Sequence, residues 1–167
     1  MDSILPAFLA AGILLLSSLL IGRSSFTSFQ VLGDSWHEAE EQSIERVRSD
    51  IEITSISASG SDVDVTVQNT GATDIVDFSK MDVVLQYVGG SQNNIRYISF
   101  TTEGAPQPDN TWRVILVTND VVDPGVLNQG ESMTVRIKLN PAPDASSSHW
   151  VQITTELGIS VASFFTT

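Results

Sequence analysis

The sequence predicts an α+β protein: a long N-terminal α-helix, hydrophobic and then amphipathic, followed by an antiparallel immunoglobulin-like β-sandwich. Three observations predict it. Residues 4–22 read ILPAFLAAGILLLSSLLIG and carry no charge. Apolar side chains then recur every three or four positions as far as Val47. From Ile51 onward the period falls to two, as it does in half-buried strands. A chain of 167 residues has room for one core and an appendage. The expected division is a helix over 1–49 and a sandwich over 50–167.

The nineteen uncharged residues would rise about 28 Å as a helix, enough to cross the hydrocarbon of a bilayer. A cleaved secretory signal opens with a basic stretch and ends at a small-residue cleavage site, whereas the flank here is Asp2 with no Lys or Arg. The segment is therefore expected to stay in the working protein. Pro6 lies in the first turn, where its missing N–H costs no helical hydrogen bond, and Asp2 or Ser3 can cap the helix. Ala7, Ala10, Ala11, Gly12, Ser17, Ser18 and Gly22 are small enough to let neighbouring helices approach closely. The segment thus suits a helix bundle as well as a lipid anchor.

Beyond Gly22 the apolar stripe continues through Phe26, Phe29, Trp36, Ile44 and Val47. Arg23, Gln30, Asp34, Glu38, Glu41, Glu45 and Arg48 fall on other faces. A helix over 3–49 would be about 70 Å long, more than a bilayer or one small domain covers. Its second half needs a partner surface, supplied by the chain's own body on one face and by neighbouring copies on the rest. The residues expected to carry polymerisation are Ile4, Leu5, Phe8, Leu9, Ile13, Leu16, Leu20, Phe26, Phe29 and Trp36.

In the body, IEITSISAS and DVDVTVQN alternate and end at the turn residues Asn69, Thr70 and Gly71. Further strands are expected over 82–88, 94–101, 111–117, 132–139, 150–155 and 159–165, separated by GGSQ, EGAPQPDN, DPGVLNQGE and NPAPDASSS. Seven or eight short strands at this spacing point to a sandwich.

Composition narrows the chemistry. With no cysteine, the chain has no disulfide, thiolate metal ligand or thiol nucleophile. Twenty acidic against eight basic side chains give a net charge of −12, which opposes binding to nucleic acid and makes free copies repel. Asp120, Asp123, Asn128 and Glu131 could offer oxygens to a hard cation, but they lack the spaced order of a calcium loop. Asp-Pro-Gly and Asn-Gln-Gly read better as chain reversals. Trp112 and Trp150 are expected in the core or on a sheet face rather than as sugar platforms. His37 and His149 are too isolated for a dyad or a metal site. No Ser-His-Asp order, phosphate loop or paired carboxylates can be read. An enzyme, a metal, a cofactor and a small-molecule substrate are therefore not expected.

A membrane-length N-terminal helix that runs on as an amphipathic one into a Ser/Thr-rich sandwich resembles the type IV pilin-like superfamily. Leu5 stands where bacterial pilins carry a glutamate, which moves the resemblance towards archaellins, the filament subunits of the archaeal motility organelle. DIEITSISASGSDVDVTVQNTG at 50–71 and VLNQGESMTVRI at 126–137 are similar to archaellins and to the related archaellum stator proteins. This resemblance implies a self-partnered helical homopolymer. Its helix would lie in the cytoplasmic membrane before assembly, pass to the filament's assembly platform, and end in the core of an extracellular filament sheathed by the sandwiches. It also admits a stator-like protein that grips the cell envelope, or a subunit of a non-motility adhesion pilus. Family precursors carry a short basic leader; none precedes Met1, as expected either of a mature product or of a lineage that dispenses with the leader. No Asn-x-Ser/Thr sequon is present, because Asn69 is followed by Thr70 and Gly71, so any sugars are expected on Ser or Thr.

Overall fold

The computed structural model describes Leu9, residues 12–18, Trp36, Glu40 and residues 43–167 apart from Val121. The chain forms two compact units, Met1–Ser43 and Ile44–Thr167. In the first, every described residue is helical. The expected helix over 1–49 otherwise lies outside the described residues.

The second unit opens with the helical residues up to Arg48 and continues as eight strands. These are β1 (Ile51–Ser59), β2 (Asp62–Asn69), β3 (Asp82–Gly89), β4 (Gln92–Phe100), β5 (Thr111–Thr118), β6 (Ser132–Lys138), β7 (Ser148–Thr154) and β8 (Ser160–Thr166). The hairpins follow from local chemistry. β3 and β4 are joined by Gly90 and Ser91, both at φ +62 and 62°, the two left-handed residues a tight primed turn requires.

The strands form two layers. They belong to one eight-stranded sheet, in the order β1-β2-β6-β5-β4-β3-β7-β8, folded over a shared core so that β1-β2-β6-β5 makes one layer and β4-β3-β7-β8 the other, with neighbours within each layer antiparallel. This grouping is that of an immunoglobulin-type Greek key with one added strand. One feature departs from the antiparallel expectation: β4 and β5 pair in parallel, through Ser99↔Thr111 and Phe100↔Trp112. The cause is the 101–110 connection, which crosses from one layer to the other instead of folding back as a hairpin.

The core is made by the alternation itself. Val63, Val65 and Val67 of β2, with Met133, Val135 and Ile137 of β6, pack in one cluster with Val83, Leu85 and Tyr87 of β3 and Val151 and Ile153 of β7. Burying each such side chain contributes about 1.5–3 kcal/mol before the cost of ordering it. Trp112 is fully buried and meets Phe100 edge-on, with ring centroids 4.7 Å apart, where the two layers join. Two bulges adjust the frame, one in β1 between Ile53 and Ser55 and one in β5 between Val114 and Leu116.

Candidate assembly surfaces

The apolar N-terminal segment is helical over 12–18, and its side chains point outward on every side. Ile13, Leu14, Leu15 and Leu16 are 58, 71, 71 and 63% exposed. A helix that is apolar all round is stable only when buried, in lipid or among other helices. The two serines fit such surroundings. Ser17 donates to the Ile13 carbonyl at 2.8 Å and Ser18 to the Leu15 carbonyl at 2.9 Å, so neither hydroxyl needs a partner from outside the helix. Of the residues expected to carry polymerisation, Leu9, Ile13, Leu16 and Trp36 are described, and all four are largely exposed. Ile4, Leu5, Phe8, Leu20, Phe26 and Phe29 lie outside the described residues.

The helical residues 44–48 are held by the sandwich through the Asn-Thr-Gly turn. A helix leaves its last carbonyls without partners, and here the loop after β2 supplies donors. Ala72 N–H donates to Arg48 O at 2.7 Å, and the Thr73 hydroxyl donates to Glu45 O at 3.2 Å. Thr70 and Gly71 N–H both reach Asp50 O, at 3.1 and 3.0 Å. Buried Asn69 fixes the shape of this loop. Its Oδ1 accepts from Gly71 N–H at 3.1 Å, and its Nδ2 donates to the carbonyls of Thr73 and Leu127, both at 2.9 Å. Glycine is required at position 71 by proximity, because a Cβ there would stand 2.3 Å from Asp50 N and 2.7 Å from Arg48 O. A second clasp comes from Arg46, whose Nε donates to Leu157 O at 2.8 Å in the turn before β8.

None of these joint residues is legible as functional in the sequence beyond the turn signal at 69–71, because the capping partners are distant along the chain. The acidic loop before β6 is turn chemistry, as expected. Val126 N–H donates to Asp123 O and Glu131 N–H to Asn128 O, both at 3.1 Å, with Gly125 and Gly130 at φ 92 and 82°. Asp120 accepts from Gly125 N–H, and the Glu131 carboxylate accepts from Asn128 N–H at 2.9 Å. Trp112 is in the core and Trp150 on an outer sheet face, as expected. His149 is buried against Phe165. Its Nδ1 accepts from Val88 N–H at 3.3 Å, leaving Nε2 to donate to Asp144 O at 3.2 Å.

On the outer face of β2 and β6, Arg136 makes a paired contact with Asp64, at 2.7 and 2.6 Å. That hydrogen bond to the carboxylate raises the Arg136 pKa above its already high ordinary value. Tyr97 donates to Asp82 Oδ1 at 3.0 Å, and this bond raises the phenol above the ordinary tyrosine range.

An apolar helical stretch exposed on its surface, with a sandwich whose loop caps the end of a helix, leaves the chain with an apolar surface that calls for lipid or other helices around it. The family model for archaeal-type flagellin matches residues 10–164, and the chain belongs to that family. Solved structures agree on the fold. The archaellum periplasmic stator protein FlaG from Sulfolobus acidocaldarius is 19% identical, with a TM-score of 0.53 over 70% of this chain and 99% of that one. Flagellin FlaB1 from Methanocaldococcus jannaschii is 16% identical, with a TM-score of 0.54 over 71% and 90%. The archaeal flagellum of Methanospirillum hungatei is 14% identical, with a TM-score of 0.51 over 95% and 92%. The family and these neighbours are structural components of the archaellum, which associates this chain with the cell surface or envelope. Among the described residues no helix is long and apolar enough to cross a membrane.

Proposed function

We propose that the chain is the repeating subunit of an extracellular archaellum-like filament, polymerising through its N-terminal helix. The observation that carries this reading is the helix over 12–18, apolar and exposed on all sides in the single chain. Such a surface needs lipid before assembly and other helices after it, and moving between the two costs little, because both are apolar. Likeness to a filament over 95% of this chain supports the same reading. The Asn69–Gly71 turn would keep the helical residues 45–48 fastened to their own sandwich, and the sandwiches would form the outer sheath. The assembly platform of the filament machinery would receive the subunit from the membrane.

A stator-like role is the second reading, favoured by the match to nearly the whole of a stator domain. Fractionation separates the two. Mass spectrometry of sheared surface filaments should find this chain as a dominant component. Its absence there, with the chain retained in the membrane fraction, would move the assignment to the stator.

A further inference from the structure

The two outer faces of the sandwich differ in kind. Antiparallel sheets that face water expose polar residues, and apart from Ile115 and Leu116 on β5 the outer face of β1-β2-β6-β5 does so, with Asp64 paired to Arg136 and Asp62 beside Lys138. The outer face of β4-β3-β7-β8 does not. The pairing register lines up Ile95, Gln86, Trp150 and Phe164 in one row across all four strands, and Tyr97, Val84, Gln152 and Ala162 in the next. Ile95, Tyr97 and Phe164 are 71, 62 and 73% exposed. Bordering Trp150 and Phe164 is a depression of about 290 Å³, floored in part by Val88 and Asn93 and suited to one anchoring side chain.

We propose that this face is a contact surface between sandwiches, occupied by a second copy of the same chain. Charge selects that occupant. The strands hold four acidic side chains (Glu52, Asp62, Asp64, Asp82) and four basic ones (Arg96, Arg113, Arg136, Lys138). The whole net charge of −12 therefore lies outside the strands, in the loops and the N-terminal segment. Two copies repel where their acidic loops meet, and sandwiches can touch without that repulsion across their sheet faces, as helices can along the uncharged residues 4–22. Of the two faces, the polar one would have to strip water from its ion pairs, which costs more than the contact returns. The face through Ile95 and Phe164 has one charged group in its rows, Asp82, already engaged by the Tyr97 hydroxyl. It presents no cation to a nucleic acid or an anionic membrane and no charge pattern to select a different charged partner.

Size points the same way. Four strands about 4.8 Å apart and three rows of side chains cover roughly 400 Å². That is about half of what one partner buries in a stable free-standing complex. A patch of this size works when another interface already holds the copies together and supplies a high effective concentration. The inference goes beyond the filament reading, since it applies wherever copies are assembled, and its test does not depend on that reading.

The chain has no cysteine, so a single introduced thiol is unique. Phe164→Cys and, separately, Ile95→Cys in the full chain are labelled in intact cells with an impermeant maleimide carrying a benzophenone, then irradiated. Ser57→Cys on the opposite outer face is the control. The expected result is a covalent dimer of this chain from both variants, in several-fold excess over the control, in whichever fraction the chain resides. Dimers in a membrane fraction without filaments would keep this inference and defeat the filament one. Monomer alone, adducts to a different protein, or equal yields from all three positions would overturn it. Both residues are exposed, so their replacement leaves the core intact, and agreement between them guards against a local defect in either.

Discussion

Replacing Gly71 with alanine tests the joint between helix end and sandwich. The added methyl would lie 2.3 Å from Asp50 N, 2.7 Å from Arg48 O and 2.9 Å from Ser49 C, against the 3.4–4 Å of ordinary contact. All three are backbone atoms, so no flexible side chain can swing away, and the loop must retreat by about 1 Å or more, beyond what a good hydrogen bond tolerates. The bonds at stake are Gly71 and Thr70 N–H to Asp50 O and Ala72 N–H to Arg48 O. At about 1 kcal/mol each, losing two or three costs ~2–3 kcal/mol. For a domain of this size that lowers Tm by roughly 6–15 °C. The assay is thermal unfolding followed by circular dichroism, with Gly104→Ala as the companion, because a Cβ at 104 meets nothing within 4 Å. If Gly71→Ala and Gly104→Ala melt together, the reading of the Asn-Thr-Gly turn as a tightly fitted cap is wrong.

Other outcomes follow from the same structure. Trp112→Ala should cost about 3–5 kcal/mol in chemical denaturation, because the side chain fills the corner where the layers join. Trp112→Phe should cost less than half as much, since among the described residues the indole N–H has no hydrogen-bond partner to lose; equal losses would contradict the placement of Trp112 as a packing residue. Asp64→Asn should cost under about 1 kcal/mol, and less still at high salt, because the pair with Arg136 remains about a third exposed. A larger, salt-independent loss would contradict that placement. Tyr97 should ionise above the ordinary tyrosine value of 10.0, its bond to Asp82 favouring the protonated phenol. The stability from that bond is complete below the ordinary value and disappears as pH rises through the raised one. Ultraviolet titration should show the phenolate forming at lower pH in Asp82→Asn, and an unmoved titration would remove Asp82 as the cause.

Much of the body is legible in the sequence because its core is built by period-two alternation. All eight expected strands are present, most within one or two residues of their bounds. The bulge in β1 also left a trace, since the apolar steps run 51, 53, 56, 58 and the gap of three marks the inserted residue. The parallel contact of β4 with β5 left none. It depends on the path of a ten-residue connection, and local pattern does not encode a path. The apolar outer face could be sensed only indirectly. β3 and β8 carry adjacent apolar pairs, Val83-Val84 and Phe164-Phe165, so both phases of the strand are apolar, and strict alternation conceals that. The joint was half legible: Asn69, Thr70 and Gly71 signal a turn, but the carbonyls they cap lie some twenty residues earlier in the chain.

In the proposed filament the apolar N-terminal helix is what polymerises this chain. Substituting Leu16 with glutamate places a charge on that helix at a described, outward-facing position. Buried without a partner among other helices, it costs several kcal/mol at every copy of the repeat. Electron microscopy of sheared surface fractions should find no filaments containing the Leu16→Glu chain. The sandwich, whose hydrophobic core is drawn from residue 51 onward, should keep its thermal unfolding transition. Filaments of normal abundance and length built from that variant would contradict the claim.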